Sequence, residues 1–232
     1  MQPSTRRIVS RSPARTVRLM CAGGLLQCQV EGESSFEADF VRRTALCPIA
    51  GQVVSQPFTL PVSVGGYTPD YAVYPIDGGS PFVFEVKSKS KVEAYSELFN
   101  AARDYLLKNG CGFYVLTEKH LRNQKVNERA KLLVRYAKAK HDPQRIREVL
   151  DIVRHAEQAI TIGSLVSNHG VNRQLIYHLI ATKHLTTGAD LLVGDMDQVA
   201  VANVRGMGNE DFFNYWFDAS PWSEDFRVGQ AA

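Results

Sequence analysis

The chain has four cysteines in 232 residues, and no two are spaced as CxxC. That absence argues against a structural zinc site and a disulfide framework, so reduced thiols in an intracellular chain are the simplest expectation. No apolar run approaches the ~18 residues that a membrane span needs. The six histidines include no HExxH pair, and no G-x-x-x-x-G-K-[ST] loop is present, which argues against a zincin site and against ATP use by this chain. No internal repeat is visible. The stretch Leu19–Leu26 follows several arginines, but it is short and holds two glycines, so it reads as a strand or hairpin rather than a signal peptide.

What is present is an ordinary globular composition, 44% hydrophobic and 22% charged. A core can form without covalent staples. The net charge of +3 is a sum over segregated blocks. Residues 1–30 hold five arginines (Arg6, Arg7, Arg11, Arg15 and Arg18) and no acid. Residues 119–147 hold ten Lys/Arg against Glu128 and Asp142, and residues 206–226 hold five acids and no Lys/Arg. Blocks of one sign usually face a partner of the other.

Five segments follow from composition and periodicity. Residues 1–16 read as a flexible basic arm. Residues 17–120 read as an α/β domain, 121–157 as a basic helical connector, 158–204 as a winged-helix-like α+β module, and 205–232 as an acidic aromatic tail. Thr16–Gln29 suggests a hairpin around Gly23-Gly24. Ser34-Ser35-Phe36-Glu37 fits a capping box that opens a helix with Phe36 and Phe40 on its apolar face. Strand-like runs at Gln52–Val64, Tyr67–Ile76 and Phe82–Ser88 follow, then a helix marked by Val92, Tyr95, Phe99, Ala102 and Leu106, then a strand at Gly110–Thr117. The order α, β, β, β, α, β predicts a mixed sheet flanked by helices. Farther on, Ile162, Leu165 and Val166 mark a short helix. Val171, Leu175, Ile176, Leu179 and Ile180 mark a second, and strands are expected at Asp190–Val193 and Gln198–Ala202.

The chemistry concentrates in Tyr67-Thr68-Pro69-Asp70 and Phe84-Glu85-Val86-Lys87. In an extended strand alternate side chains share a face, so Glu85 and Lys87 lie together and Asp70 can join them from the preceding strand. Two close carboxylates repel unless a divalent cation lies between them. Mg²⁺ takes oxygen ligands and keeps waters, and Mn²⁺ is the alternative. Such a site suits phosphodiester hydrolysis, with Lys87 acting on the attacking water or on charge at phosphorus. Lys89, next on the same face, is positioned for a phosphate, whereas Lys91 reads as surface.

ESSFEADF, SQPFTL, YTPDYAV, FVFEVKSK and YVLTEKHL together resemble the TnsA-like endonucleases of heteromeric targeted transposons, within the restriction-endonuclease-like PD-(D/E)xK superfamily. The resemblance covers roughly residues 5–120. It implies a restriction-endonuclease-like fold in which Asp70, Glu85 and the helical Glu37 bind metal, with Lys87 as the catalytic lysine. Some members carry Gln at the position of Glu85. The implied activity is cleavage at the 5′ side of each transposon end. A TnsB-type transposase processes the 3′ ends, a TnsC-type AAA ATPase acts as regulator, and DNA in the bacterial cytoplasm is the substrate. Arg6, Arg7, Lys89, Arg122, Arg129 and Arg173 are the expected DNA contacts.

Two other readings remain open at this point. One is a phage or host nuclease of replication, repair or restriction. The other is a non-catalytic DNA- or protein-binding adaptor. Glu37 can also be only a helix cap, Asp70 a turn acid, and the lysines a solvated strand edge. Arg173, Gln174, Tyr177 and His178 can read a DNA groove, or the module can bind protein. The aromatic tail can dock on a partner as a short peptide, or fold back over the chain's own basic surface.

Overall fold

The computed structural model describes residues 2–3, 18–20, 25–26, 30–62, 65–202 and 207–223. Arg6, Arg7, Cys21, Cys28 and the Gly23-Gly24 turn lie outside the described residues. The fold is mixed α/β, and its central sheet combines antiparallel and parallel strands.

Helix α1 (Ser35–Leu46) begins with Ser34 as N-cap, as predicted, but Glu37 reaches back to Glu33 N and Ser34 Oγ instead of the Ser34 N–H. The Ser34 Oγ accepts from Glu37 N at 3.1 Å. Strands β1 (Ala50–Ser55), β2 (Phe58–Val62), β3 (Gly65–Tyr67), β4 (Tyr71–Pro75) and β5 (Phe82–Val86) follow. Helix α2 (Ser96–Lys108) then crosses over to β6 (Gly112–Leu116). The sheet order is β1-β4-β5-β6, antiparallel except for the last, parallel pair. A parallel pair requires such a crossover. Two predicted runs are each divided in the structure. Gln52–Val64 breaks at Gln56-Pro57, and Tyr67–Ile76 breaks at Thr68–Asp70. Strand β2 pairs with β3 and with the short strand Gln2–Pro3, so the first residues of the expected basic arm join a sheet. Arg18–Met20 pairs with Val30–Gly32, which lies just past the predicted hairpin.

The sheet is buried on both faces. Phe84, Tyr71, Val73 and Tyr114 face α1, while Val83, Ala72, Phe113 and Val115 face α2. The basic connector forms α3 (Gln124–Tyr136) and α4 (Pro143–His155). Next come β7 (Ile160–Thr161), α5 (Ile162–Ser167), α6 (Arg173–Ala181), β8 (Leu185–Thr186) and β9 (Gln198–Val201). The three short strands pair in the order β7-β9-β8. The strand expected at Asp190–Val193 is instead a turn in which Leu191 adopts φ +51°, and the pairing strand is Leu185–Thr186. Leu191 is buried there, so its apolar signal reflects packing of a turn.

The described part of the aromatic tail packs into the chain's own core. Helix α7 (Asn209–Phe217) returns to the central sheet, where Phe213, Trp216 and Phe217 are buried with Phe40 and Phe84. Phe217 stacks on Phe40 at 5.5 Å between ring centroids. The Arg43 guanidinium donates to Trp216 O at 2.7 Å and lies over the Phe217 ring. Beyond the helix, Trp222 reaches the other sheet face. Its backbone N–H donates to Phe113 O at 2.8 Å and its indole to Asn100 Oδ1 at 2.7 Å. The segment thus packs on both faces of the sheet and satisfies one backbone carbonyl, that of Phe113, on the free edge of β6. The apolar faces of α3 and α6 pack together, so the C-terminal module shares one continuous core with the sheet.

Candidate active site

Register brings the acidic residues together. Tyr71 pairs with Phe84 across β4 and β5, so one step outward Asp70 falls opposite Glu85. Pro69 precedes Asp70 and favours extended backbone rather than helix in Thr68 before it. Strand β5 ends at Val86, whose backbone N–H donates to Asp70 Oδ2 at 2.9 Å. The Lys87 N–H donates to Leu116 O at 3.0 Å, which carries the parallel ladder one residue further. Lys87 then turns its ammonium to Glu85 Oε1 at 2.6 Å. The sharing of one face by Glu85 and Lys87 is therefore present in the structure.

Glu85 is almost wholly buried, its side chain 4% exposed. An isolated carboxylate would not be stable there, and two donors offset its desolvation. Lys87 takes Oε1 and the Tyr67 hydroxyl donates to Oε2 at 2.7 Å. Lys87 also lies over the Tyr95 ring, 5.0 Å from its centroid. Burial draws the Lys87 pKa down, but Glu85, by charge and hydrogen bond, and then Asp70 outweigh it and hold the ammonium above its ordinary value. Asp70 shifts in the sense of an acid cluster. Burial first, then the Glu85 charge, then the Glu37 charge push its carboxyl well above the usual range, against the Val86 N–H and Lys87.

Glu37 behaves differently. It rides on α1, which packs on the sheet face opposite α2, whereas Glu85 alternates onto the α2 side. Its side chain turns back on its own helix start. Oε1 accepts from Ser34 Oγ at 2.8 Å and Oε2 from Glu33 N at 2.9 Å. Tyr71 donates to the same Oε2 at 3.2 Å. The capping role is thus occupied here, and the charge of Glu37 still reaches Asp70. Among the described residues no three His, Cys, Asp or Glu side chains converge into a ready metal cage. The donor set nevertheless fits a hard, hydrated divalent cation at Asp70 and Glu85. Both are oxygen ligands, and such an ion removes the mutual repulsion that adds to burial in lifting the Asp70 pKa. For Glu37 to join, it must leave Ser34.

Sequence reasoning gave no role to Tyr67 and Tyr71, which flank Thr68–Asp70 and each hold one glutamate. The signal was present as a tyrosine on either side of the acid, but the register that sets their partners is not visible in sequence.

The expected DNA contacts divide. Lys89 is exposed, but it opens the short helix Lys89–Val92 instead of extending the strand, and its N–H donates to Glu118 Oε2. Arg122 is exposed and stacks over Phe36, 4.3 Å from the ring centroid, which brings the basic surface beside the start of the Glu37 helix. Lys119, Arg122 and Lys125 line a shallow depression there with Asn123, Gln124 and Glu128. Arg129 donates to Asp190 O at 3.0 Å. Arg173 is ion-paired with Asp195. Tyr177 and His178 turn inward, with Tyr177 against the Tyr136 ring at 5.3 Å and His178 Nδ1 at 3.0 Å from Tyr136 O. Of the four candidate groove-reading residues, Gln174 is the one left exposed with no side-chain bond among the described residues.

Among the described residues, no helix is long and apolar enough to cross a membrane. No protein-family model matches the chain, and no curated protein matches it.

Proposed function

We propose that the chain is a metal-dependent DNA endonuclease of restriction-endonuclease-like fold, acting as the TnsA-like subunit of a transposase. The observation that carries this reading is the meeting of Asp70, Glu85 and Lys87 at the ends of two paired strands. The α-β-β-β-α-β order around a mixed sheet, and the YTPD and FEVK strings at those strand ends, support it further.

Asp70 and Glu85 would hold the divalent ion, which when bound supplies a more acidic water and stabilises charge on the scissile phosphate. Lys87, cationic and partly exposed, is placed to hold the attacking water or the developing phosphorane charge. Tyr67 orients Glu85. The depression at Lys119, Arg122 and Lys125 would neutralise flanking phosphates, an interaction that weakens with salt. In this reading the cut falls at the 5′ side of each transposon end, and a TnsB-type transposase processes the 3′ ends under a TnsC-type ATPase. The helix-turn-helix and small sheet at 158–202 form a winged-helix-like module. The inward-facing Tyr177 and His178 favour a protein contact over groove reading.

A strand-resolved excision assay with the partner transposase tests this. Asp70→Ala and Lys87→Ala should each abolish the 5′ cut and spare the 3′ nicks. Full double-strand excision by either variant would sink the proposal. The adaptor reading keeps one specific support. Every oxygen of Glu37 and Glu85 already has a protein donor, so these two glutamates are satisfied without metal.

A further inference from the structure

The loop between β1 and β2 holds an unexplained glutamine. Gln56 has φ +45°, a left-handed backbone that is uncommon for a residue with a side chain and sits immediately before Pro57. Its N–H donates to the carbonyl of Asp70 at 2.7 Å. Ser55 pairs with Tyr71 and Tyr71 with Phe84, so one step outward Gln56, Asp70 and Glu85 form a single row across three strands. The side-chain Oε1 of Gln56 is buried and has no hydrogen-bond donor among the described residues.

These facts conflict with a purely structural role. A glycine would adopt this backbone without strain and would still donate its N–H to Asp70. The glutamine adds an amide whose oxygen is desolvated and unpaired, a costly state that calls for a partner. Asp70 and Glu85 share the cross-strand row of Gln56, and among the described residues no donor meets this oxygen. A hydrated divalent cation brings both a hard positive centre and strongly polarised water O–H donors, and a neutral amide oxygen is a common companion to carboxylates around such ions.

We infer that Gln56 supplies the neutral oxygen of the cation site at Asp70, with Oε1 facing the hydrated ion and the left-handed backbone anchoring the Asp70 carbonyl. This rests on the reading of Asp70 and Glu85 as cation ligands. It extends that site to a third strand and to a residue that no acid-based motif includes.

Calorimetric titration of the full chain with Mn²⁺, alongside melting in EDTA, tests the inference without any cleavage assay. Gln56→Ala should weaken Mn²⁺ binding at least several-fold, while its metal-free Tm does not fall, because the orphan oxygen is gone. Gln56→Glu should lower the metal-free Tm by adding a third carboxylate to the row, and should enlarge the Tm rise on adding Mn²⁺. Gln56→Gly relieves the left-handed strain and keeps the N–H, so it serves if the alanine variant does not fold, with the same loss of affinity expected. Wild-type affinity in Gln56→Ala or Gln56→Gly, with binding abolished in Asp70→Ala, overturns the role of Gln56 alone. Absence of Mn²⁺ binding by the unmodified chain overturns the cation site together with this inference.

Discussion

The Tyr67 hydroxyl donates to Oε2 of Glu85 at 2.7 Å, so a residue of β3 determines how a carboxylate of β5 faces. Glu85 presents its other oxygen to Lys87. Tyr67 itself is buried and packs edge-on to Phe113 at 6.5 Å between centroids, which fixes its ring independently of the hydroxyl. Tyr67→Phe therefore isolates one bond. Losing a hydrogen bond to a buried charge should cost about 1.5–3 kcal/mol of unfolding free energy. Denaturant unfolding checks that loss, and the 5′ cut should slow because Glu85 is then free to turn fully toward Lys87.

Ser34 competes for Glu37. Ser34→Ala removes an N-cap side chain and should cost about 1 kcal/mol. It also removes the Oγ that holds Glu37 Oε1 at 2.8 Å. Divalent-cation affinity should rise in this variant while stability falls. A parallel loss of both would show that Glu37 serves the helix alone.

The mixed sheet was legible because each of its parts has a local signal. Alternation marked Phe82–Val86, helical spacing marked Ser96–Lys108, and Ser34 with Glu37 marked a helix start. The meeting of Asp70, Glu85 and Lys87 was legible for the same reason, since strand alternation and one tight connection suffice to place them. What could not be read was set by long-range packing. Glu37 stays on Ser34 and Glu33, a side-chain direction that spacing does not show. Leu191 and Val193 alternate as a strand would, yet they pair with no strand among the described residues. Trp216 and Trp222 meet residues more than a hundred positions earlier, at Arg43 and Asn100.

The chain end belongs to the sheet's core, so its removal should be structural. Trp216→Ala should destabilise by about 3–5 kcal/mol, the range for deleting a large buried aromatic. Truncation before Asn209 should expose Phe40, Phe84 and Phe113 and yield aggregated protein. A soluble, cooperatively folding truncation that loses only partner binding would show the tail to be a docking peptide instead.

His120 gives the fold an acid-side weakness. Its Nδ1 accepts from Thr117 N at 2.9 Å, and its carbonyl receives Arg43. Burial first, then Lys119, lower its pKa below the ordinary 6.5, with Asp218 opposing. The unfolded chain therefore binds this proton at higher pH than the native one. Stability from this group is complete above 6.5 and declines as pH falls from there toward the lowered native value. His120→Gln keeps an acceptor that does not titrate, so its Tm should vary less with pH over that window. An unchanged pH profile would remove His120 as the cause.

The central claim is that Asp70 and Glu85 hold a divalent cation beside Lys87. Anomalous diffraction from crystals of the full chain soaked in Mn²⁺ tests it most directly. The account predicts one strong peak between the Asp70 and Glu85 carboxylates, with Lys87 displaced from Glu85 Oε1 and Gln56 facing the ion's waters. A map with no peak there at saturating Mn²⁺, and with the Lys87–Glu85 pair intact, would contradict it.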